Sequence, residues 1–314
     1  MDNTETILGT LDPEVTQQLV SRRAAILHGA SVSSRVAAGL AMASVPVALA
    51  ALATEAGAQS ATDVTGVLNF ALALEIFENE FYKAVLGVST SAAQNNAFAP
   101  VRAQVPASAL PALQQIQKHE AAHVAFLLAN GATNSLGLVA DSFDFTGNRG
   151  GGAGPFARAT TELPFLLAVA QGAEDTGVRA YKGQAGNLLA NRAVLEAALR
   201  IHSVEARHAA KIRRLRRATG APGVVKYSGT ISGGGAAAAG AGNITPAPSA
   251  GVVAAFDAIY GGEDTVTEAG KAIASLPNLP AGFDAAAASE AFDEPLSKAQ
   301  VIAIVQPFFK PTLS

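Results

Sequence analysis

One pattern occurs twice in the chain, a single Glu on one predicted helix followed by a Glu-x-x-His motif on the next. The Glu and His of this motif lie one helical turn apart on the same face, so both can reach one metal ion. Two helices with one carboxylate each and two with Glu-x-x-His supply the ligands of a di-metal site inside a four-helix bundle. The pattern therefore predicts an all-α four-helix bundle with these metal ligands: Glu75, Glu120, His123, Glu174, Glu205 and His208.

The predicted ligands stand where apolar residues are expected. On the second helix Glu120 interrupts a stripe that contains Ile116 and Leu127, and on the fourth Glu205 follows Ile201 in a similar stripe. Burying an ionised carboxylate costs several kcal/mol unless it is paired or bound to a metal. Because several buried carboxylates need a shared positive charge, two divalent cations account for the pattern.

A Tyr follows each single Glu seven residues later, Tyr82 after Glu75 and Tyr181 after Glu174. We expect each Tyr either to hydrogen-bond to a ligand carboxylate or to fill the core. Glu78 is the alternative ligand on the first helix, and the repeated Glu-x6-Tyr spacing favours Glu75.

Residues 119–123 read His-Glu-Ala-Ala-His, which is the H-E-x-x-H signature of zinc peptidases. In that alternative His119 and His123 bind one zinc ion and Glu120 activates water. It leaves the second Glu-x-x-His motif and both Glu-x6-Tyr spacings without a role. In the di-metal interpretation, His119 and His202 either hydrogen-bond to a ligand one turn away or lie at the surface.

The remaining charges predict solvated faces. Glu80, Glu196 and the basic run from Arg207 to Arg217 are expected to face solvent, with the cations complementing the helix dipole. The net charge of -3 gives no general attraction to nucleic acid. Because the chain has no Cys, disulfides, iron–sulfur clusters and thiol catalysis are excluded.

Residues 1–58 have the pattern of a twin-arginine export signal. Arg22-Arg23 precedes a weakly apolar, Ala-rich segment, residues 36–53, and Ala56-Gly57-Ala58 offers a cleavage site before Gln59. A transmembrane helix over the apolar segment is the alternative. It is disfavoured because Ala and Ser insert poorly and a cleavage site follows directly. The leader predicts export to the periplasm or the extracellular space, with no stable membrane span after cleavage.

The bundle is predicted over residues 59–220. The first helix is expected from a cap at Thr62 or Asp63 to about Leu86, and the second is expected to end at Asn130-Gly131. The third is expected from about Phe156 to Tyr181, with either a later start or a kink at Pro164. The fourth is expected from about Asn191 to Arg217. A long aperiodic segment separates the second and third helices, which predicts a crossover along the bundle. A short loop joins the third and fourth helices.

A Gly/Ala-rich linker is predicted over residues 221–250 and a helical C-terminal extension of unknown role over residues 251–314. Three helical stretches are expected in the extension, at residues 252–261, 263–276 and 297–309.

With these residues in hand, residues 62–218 resemble the ferritin-like superfamily of di-metal carboxylate proteins, which includes ferritins, rubrerythrins and manganese catalases. The six predicted ligands match the superfamily's ligands in order and type. The Tyr seven residues after the single Glu resembles the rubrerythrin arrangement. The export signal, the Ala-rich composition and the C-terminal extension are most similar to the desiccation-related branch. The Cys-based rubredoxin module of full rubrerythrins is missing from the chain.

The resemblance implies two iron or two manganese ions per chain and redox chemistry on peroxide, oxygen or ferrous iron under oxidative or drying stress. In that hypothesis Glu120 and Glu205 bridge the metals, and Glu75 and Glu174 are terminal ligands. A non-catalytic structural or interaction protein is the second hypothesis, and the zinc peptidase is a weaker one. A homo-oligomer is compatible with the sequence, and the C-terminal extension argues against a ferritin-type cage.

Overall fold

The computed structural model describes residues 63–220 and 249–314. The predicted signal peptide and almost all of the predicted linker lie outside the described residues. Four long helices dominate the rest: α1 (Val64–Leu86), α2 (Leu110–Ala129), α3 (Leu163–Ala185) and α4 (Arg192–Ala218). The predicted all-α class and four-helix bundle are confirmed.

Short-range signals in the sequence explain where these helices begin and end. Asp63 caps α1 by accepting a hydrogen bond from the backbone N–H of Gly66, and Asn191 caps α4 in the same way. Gly87, with φ of 77°, ends α1 in the left-handed conformation that an L-residue adopts at a cost. The third helix starts later than Phe156, which is one of the two alternatives that the position of Pro164 predicts. The α3 helix begins at Leu163 because proline is tolerated only in the first turn, where Pro164 stands.

The directions of the helices follow from the residues that meet at one end of the bundle. One cavity is lined by residues from all four long helices. Leu127 and Tyr181 come from the C-terminal halves of α2 and α3. Leu68 and Val194 come from the N-terminal parts of α1 and α4. Thus α1 and α4 run in one direction, and α2 and α3 run in the other. The chain must return along the bundle between α2 and α3, and residues 130–162 make that crossover. The predicted long crossover is confirmed.

The crossover and the C-terminal end of the chain pack together on α1. Phe143 of the crossover forms an isolated antiparallel bridge with Phe309, and their rings meet edge to face at 5.0 Å. Phe77 of α1 lies within 5.8 Å of both rings. Aromatic burial of this kind joins three distant parts of the sequence in one core.

The C-terminal extension contains less helix than predicted. It forms α5 (Ala250–Tyr260), a short helix at Ala285–Ser289 and α6 (Lys298–Val305). Residues 263–276 were expected to be helical, and this is wrong because they contain a small hairpin, β1 (Thr267–Glu268) with β2 (Lys271–Ala272). Ala269 and Gly270 have positive φ, which two-residue hairpin turns require and helices exclude. Two further short helices, Ala92–Ala97 and Ala99–Arg102, precede α2.

The extension is docked on α3 through a buried arginine. The Arg179 guanidinium lies 3.0 Å from the Glu263 carboxylate and donates to the carbonyls of Gly261 and Glu294. The backbone N–H of Leu296 donates to the carbonyl of Arg179. These contacts make the extension part of the folded unit. Within residues 63–220 and 249–314, no helix is both long and apolar enough to cross a bilayer.

Candidate metal centre

Each long helix brings carboxylate or imidazole groups to the middle of the bundle. The four glutamates are fully buried, at 0% exposure, and the two imidazoles are nearly so. Because each side chain projects from mid-helix, the backbone of the whole bundle fixes its position. The side chains that meet are Glu75, Glu120, His123, Glu174, Glu205 and His208.

These side chains form two overlapping groups in the described part of the chain. Within each group the ligand atoms lie within 4.8 Å of one another. Glu120 and Glu205 belong to both groups. The first group adds Glu75 and His123, and the second adds Glu174 and His208. This arrangement can support two neighbouring cation positions that share two carboxylates.

The imidazoles point the same ring nitrogen at the carboxylates. Nδ1 of His123 lies 3.0 Å from Glu75, 3.1 Å from Glu120 and 3.2 Å from Glu205. Nδ1 of His208 lies 2.8 Å from Glu120 and 3.6 Å from Glu205. Each imidazole therefore faces both shared carboxylates from its own side.

Two buried tyrosines bond to the single glutamates in a crossed pattern. Tyr82 of α1 donates to Glu174 of α3, and Tyr181 of α3 donates to Glu75 of α1. Burial and the adjacent carboxylate raise the pKa of each Tyr well above its usual value, so both phenols stay protonated donors. Each Tyr orients one carboxylate oxygen and leaves the other for the cluster.

The local electrostatics favour added positive charge. Burial would lower the pKa of His123 and His208, but the close carboxylates outweigh it and raise both to about 12. Burial, together with the negative charge of Glu205, raises the pKa of Glu120 well above its usual value. For Glu205, burial is outweighed by the two imidazoles, which hold its pKa at about 2. Protons thus balance much of the buried negative charge, and bound metal ions would displace them.

The donor atoms themselves test whether metal ions fit. Five donor atoms of the cluster are buried and have no hydrogen-bond partner among the described residues. They are Oε1 of Glu120, Oε2 of Glu174, both carboxylate oxygens of Glu205 and Nδ1 of His208. Nδ1 of His208 and Oε1 of Glu120 are only 2.8 Å apart, yet the contact lacks the direction of a hydrogen bond. Orphaned buried acceptors at the centre of a protein are costly unless a cation satisfies them. Carboxylate and imidazole donors suit iron and manganese.

Glu78 lies beside the cluster as a further carboxylate but belongs to neither group. Burial, then the negative charges of Glu205 and Glu174, raise its pKa well above the usual value, which favours the protonated acid. Between the two candidates on α1, the structure places Glu75 in the cluster.

The other two histidines of the bundle have different partners. Nδ1 of His119 lies 2.9 Å from Nε2 of His208, on the side of the ring that faces away from the carboxylates. His202 lies 3.0 Å from the carbonyl of Val178 instead. His119 is in neither ligand group of the described chain. The geometry therefore gives no support to a zinc site shared by His119 and His123.

Two expectations about solvated charges are wrong. Glu80 is buried and bonds to Lys83 at 2.7 Å, whereas Glu196 is exposed as expected. Within the basic run, Arg216 is 1% exposed and donates to Gln171. Sequence patterns gave no sign of this, because Gln171 is on another helix and 45 residues away.

A buried polar network connects that arginine to the extension. Asp175 accepts from Arg213 at 2.8 Å and from the Tyr260 hydroxyl at 2.7 Å, and Gln171 donates to the same hydroxyl. Tyr260 is the last residue of α5. The network thus links α3, α4 and α5 next to the candidate centre.

Fold and site together define a helical-bundle protein with a buried carboxylate–histidine cluster that could bind metal. Residues 63–218 match the family model of the ferritin-like domain. Through this domain the chain belongs to the ferritin-like superfamily. No curated protein and no solved structure gave a match to the chain.

Proposed function

We propose that this chain is an exported ferritin-like protein that binds two iron or two manganese ions per chain for redox chemistry. The observation that carries the proposal is the pair of overlapping groups that share Glu120 and Glu205. A single-ion site would need only one group. Two groups with one imidazole each match a di-metal arrangement.

The residues divide into three roles. Glu120 and Glu205 would bridge the two positions, because each lies against both imidazoles. His123 with Glu75 would complete one position, and His208 with Glu174 the other. The two tyrosines would hold the terminal carboxylates in place through their hydrogen bonds.

Bound iron or manganese would supply the electron transfer needed to act on peroxide, oxygen or ferrous iron. The protein contributes a dry site, since all four carboxylates are fully buried. Its phenol donors, Tyr82 and Tyr181, remain protonated beside the cluster. Export and a role in stress or desiccation rest on the leader and the resemblance alone.

Metal analysis of the purified full chain tests the proposal. We expect about two iron or manganese ions per chain, and loss of most of this metal in Glu205→Ala. Glu196→Ala is the matched control, because Glu196 is on the same helix but exposed. Zinc that depends on His119 would instead favour the peptidase, and no bound metal would overturn both.

A non-catalytic role is the second candidate, and the complete burial of the carboxylates favours it. A structural metal site is closed, whereas a catalytic site keeps a position open to its substrate. Peroxide consumption and ferrous oxidation by the metal-loaded protein separate the two candidates. Bound metal without turnover, together with a large loss of thermal stability on chelation, would favour the structural role.

A further inference from the structure

An apolar cavity of about 90 Å³ lies at one end of the bundle, and we call it the end cavity. All four long helices line it. Its buried wall contains Leu74, Leu127, Tyr181 and Ile201. The lining also includes Phe126, which is 40% exposed, so the cavity extends from the core towards the surface.

The end cavity begins one helical turn from the carboxylate cluster. Leu127 follows His123 by four residues, and Ile201 precedes Glu205 by four. Residues four apart lie on the same helix face, about 6 Å apart along the axis. Tyr181 belongs to both, since it lines the cavity and its hydroxyl donates to Glu75.

The lining favours an apolar occupant over water. A buried water needs two to four polar partners. The three polar lining side chains already have partners within the protein. The Tyr181 hydroxyl donates to Glu75, Oε1 of Gln184 accepts from Asn187, and the Asn130 amide donates to the carbonyl of Phe126. Most other lining residues are aliphatic or alanine. An apolar protein cavity of roughly 150 Å³ binds benzene or xenon. The end cavity, at about 90 Å³, is smaller, so it suits a molecule no larger than benzene.

We propose that the end cavity is a binding site for a small hydrocarbon. The site holds that molecule against Tyr181, beside the cluster. Binding depends on the cavity and not on bound metal, so it stands apart from the redox function proposed above.

Thermal unfolding of the full chain with and without saturating benzene tests the proposal. We expect benzene to raise Tm by about 2–4 °C. Ala198→Leu and Ala71→Leu fill the cavity from two different helices and should each abolish this shift. Ala210→Leu is the matched control, because it adds the same side chain at an exposed position of α4 and should keep the shift.

Nuclear Overhauser contacts locate the ligand independently of stability. Benzene should show contacts to the methyl groups of Leu127 and Ile201. A shift that persists in both cavity-filling variants, or contacts to the smaller apolar pocket around Phe256 instead, would overturn the proposal. So would the absence of both a shift and contacts. Metal content measured on the same samples shows separately whether the di-metal proposal holds.

Discussion

At the scale of single residues, the two candidate metal positions differ in how their imidazoles are held. Nε2 of His208 contacts His119, while Nε2 of His123 has no such contact among the described residues. A hydrogen bond to the far nitrogen of a metal-bound His fixes the ring, and its loss costs about 10–100-fold in metal affinity. A metal ion bound at His208 would therefore depend on a partner that His123 lacks.

We expect His119→Ala to weaken one metal position by about 10–100-fold and leave the other nearly unchanged. Competition with a chelator, followed by metal analysis, measures both positions in one experiment. His202→Ala is the control, because His202 contacts a backbone carbonyl and no ligand. Equal weakening of both positions would show that His119 acts through overall stability and not through His208.

At the scale of elements, Asp144 anchors the crossover. Its carboxylate accepts hydrogen bonds from the backbone N–H of Thr146 at 2.9 Å and of Gly150 at 2.7 Å, and from the Thr146 hydroxyl. Burial would raise the pKa of Asp144, but these hydrogen bonds outweigh it and lower the pKa below the usual value of 3.8. The charged form is therefore the one that the fold stabilises.

Asp144→Asn should reduce the free energy of unfolding by about 1–3 kcal/mol at pH 7, because the amide is uncharged and replaces one of the two acceptor oxygens with a donor. The pKa is depressed in the folded state, so this contribution is present above about pH 4 and is lost as the pH falls through the folded pKa. Denaturant unfolding at pH 7 and near pH 3 should show the gap between wild type and variant closing. Asp141→Asn, at an exposed site in the same crossover, is the control. A gap that is the same at both pH values would contradict the assignment.

The elements also show what the sequence could and could not predict. The cap at Asp63, the start of the fourth helix near Asn191 and the long crossover follow from local signals, as does the spacing that brings the ligands together. The crossed Tyr–Glu bonds depend on which helices become neighbours, which spacing within one helix cannot specify. The sequence also did not predict the burial of Arg216 or the hairpin at residues 267–272. Arg216 is buried because it bonds to Gln171 on another helix. The hairpin forms where Ala269 and Gly270 adopt positive φ angles.

At the scale of the whole molecule, the close fit between the extension and the bundle depends on a glycine in α3. A Cβ added at Gly183 would lie 1.8 Å from the carbonyl oxygen of Leu296, so backbone would have to move. Leu296 lies in the segment of the extension that contacts Arg179. Its backbone N–H donates a hydrogen bond to the Arg179 carbonyl. The absence of a side chain at this point is what allows the extension to approach α3.

Gly183→Ala should therefore destabilise the protein by about 1–3 kcal/mol through overpacking, although Ala replaces Gly favourably in most helices. Limited proteolysis should cut residues 249–314 faster in the variant, because a displaced Leu296 weakens the docking on Arg179. Gly251→Ala is the matched control. It lies in α5 with open space around the added methyl, and should stabilise by about 0.5–1 kcal/mol. If both variants were equally stable and equally resistant, the extension would not be held at this contact. If only Gly183→Ala makes the extension easier to cut, the extension is held against α3 at this contact, and the bundle makes room for it by having no side chain at residue 183.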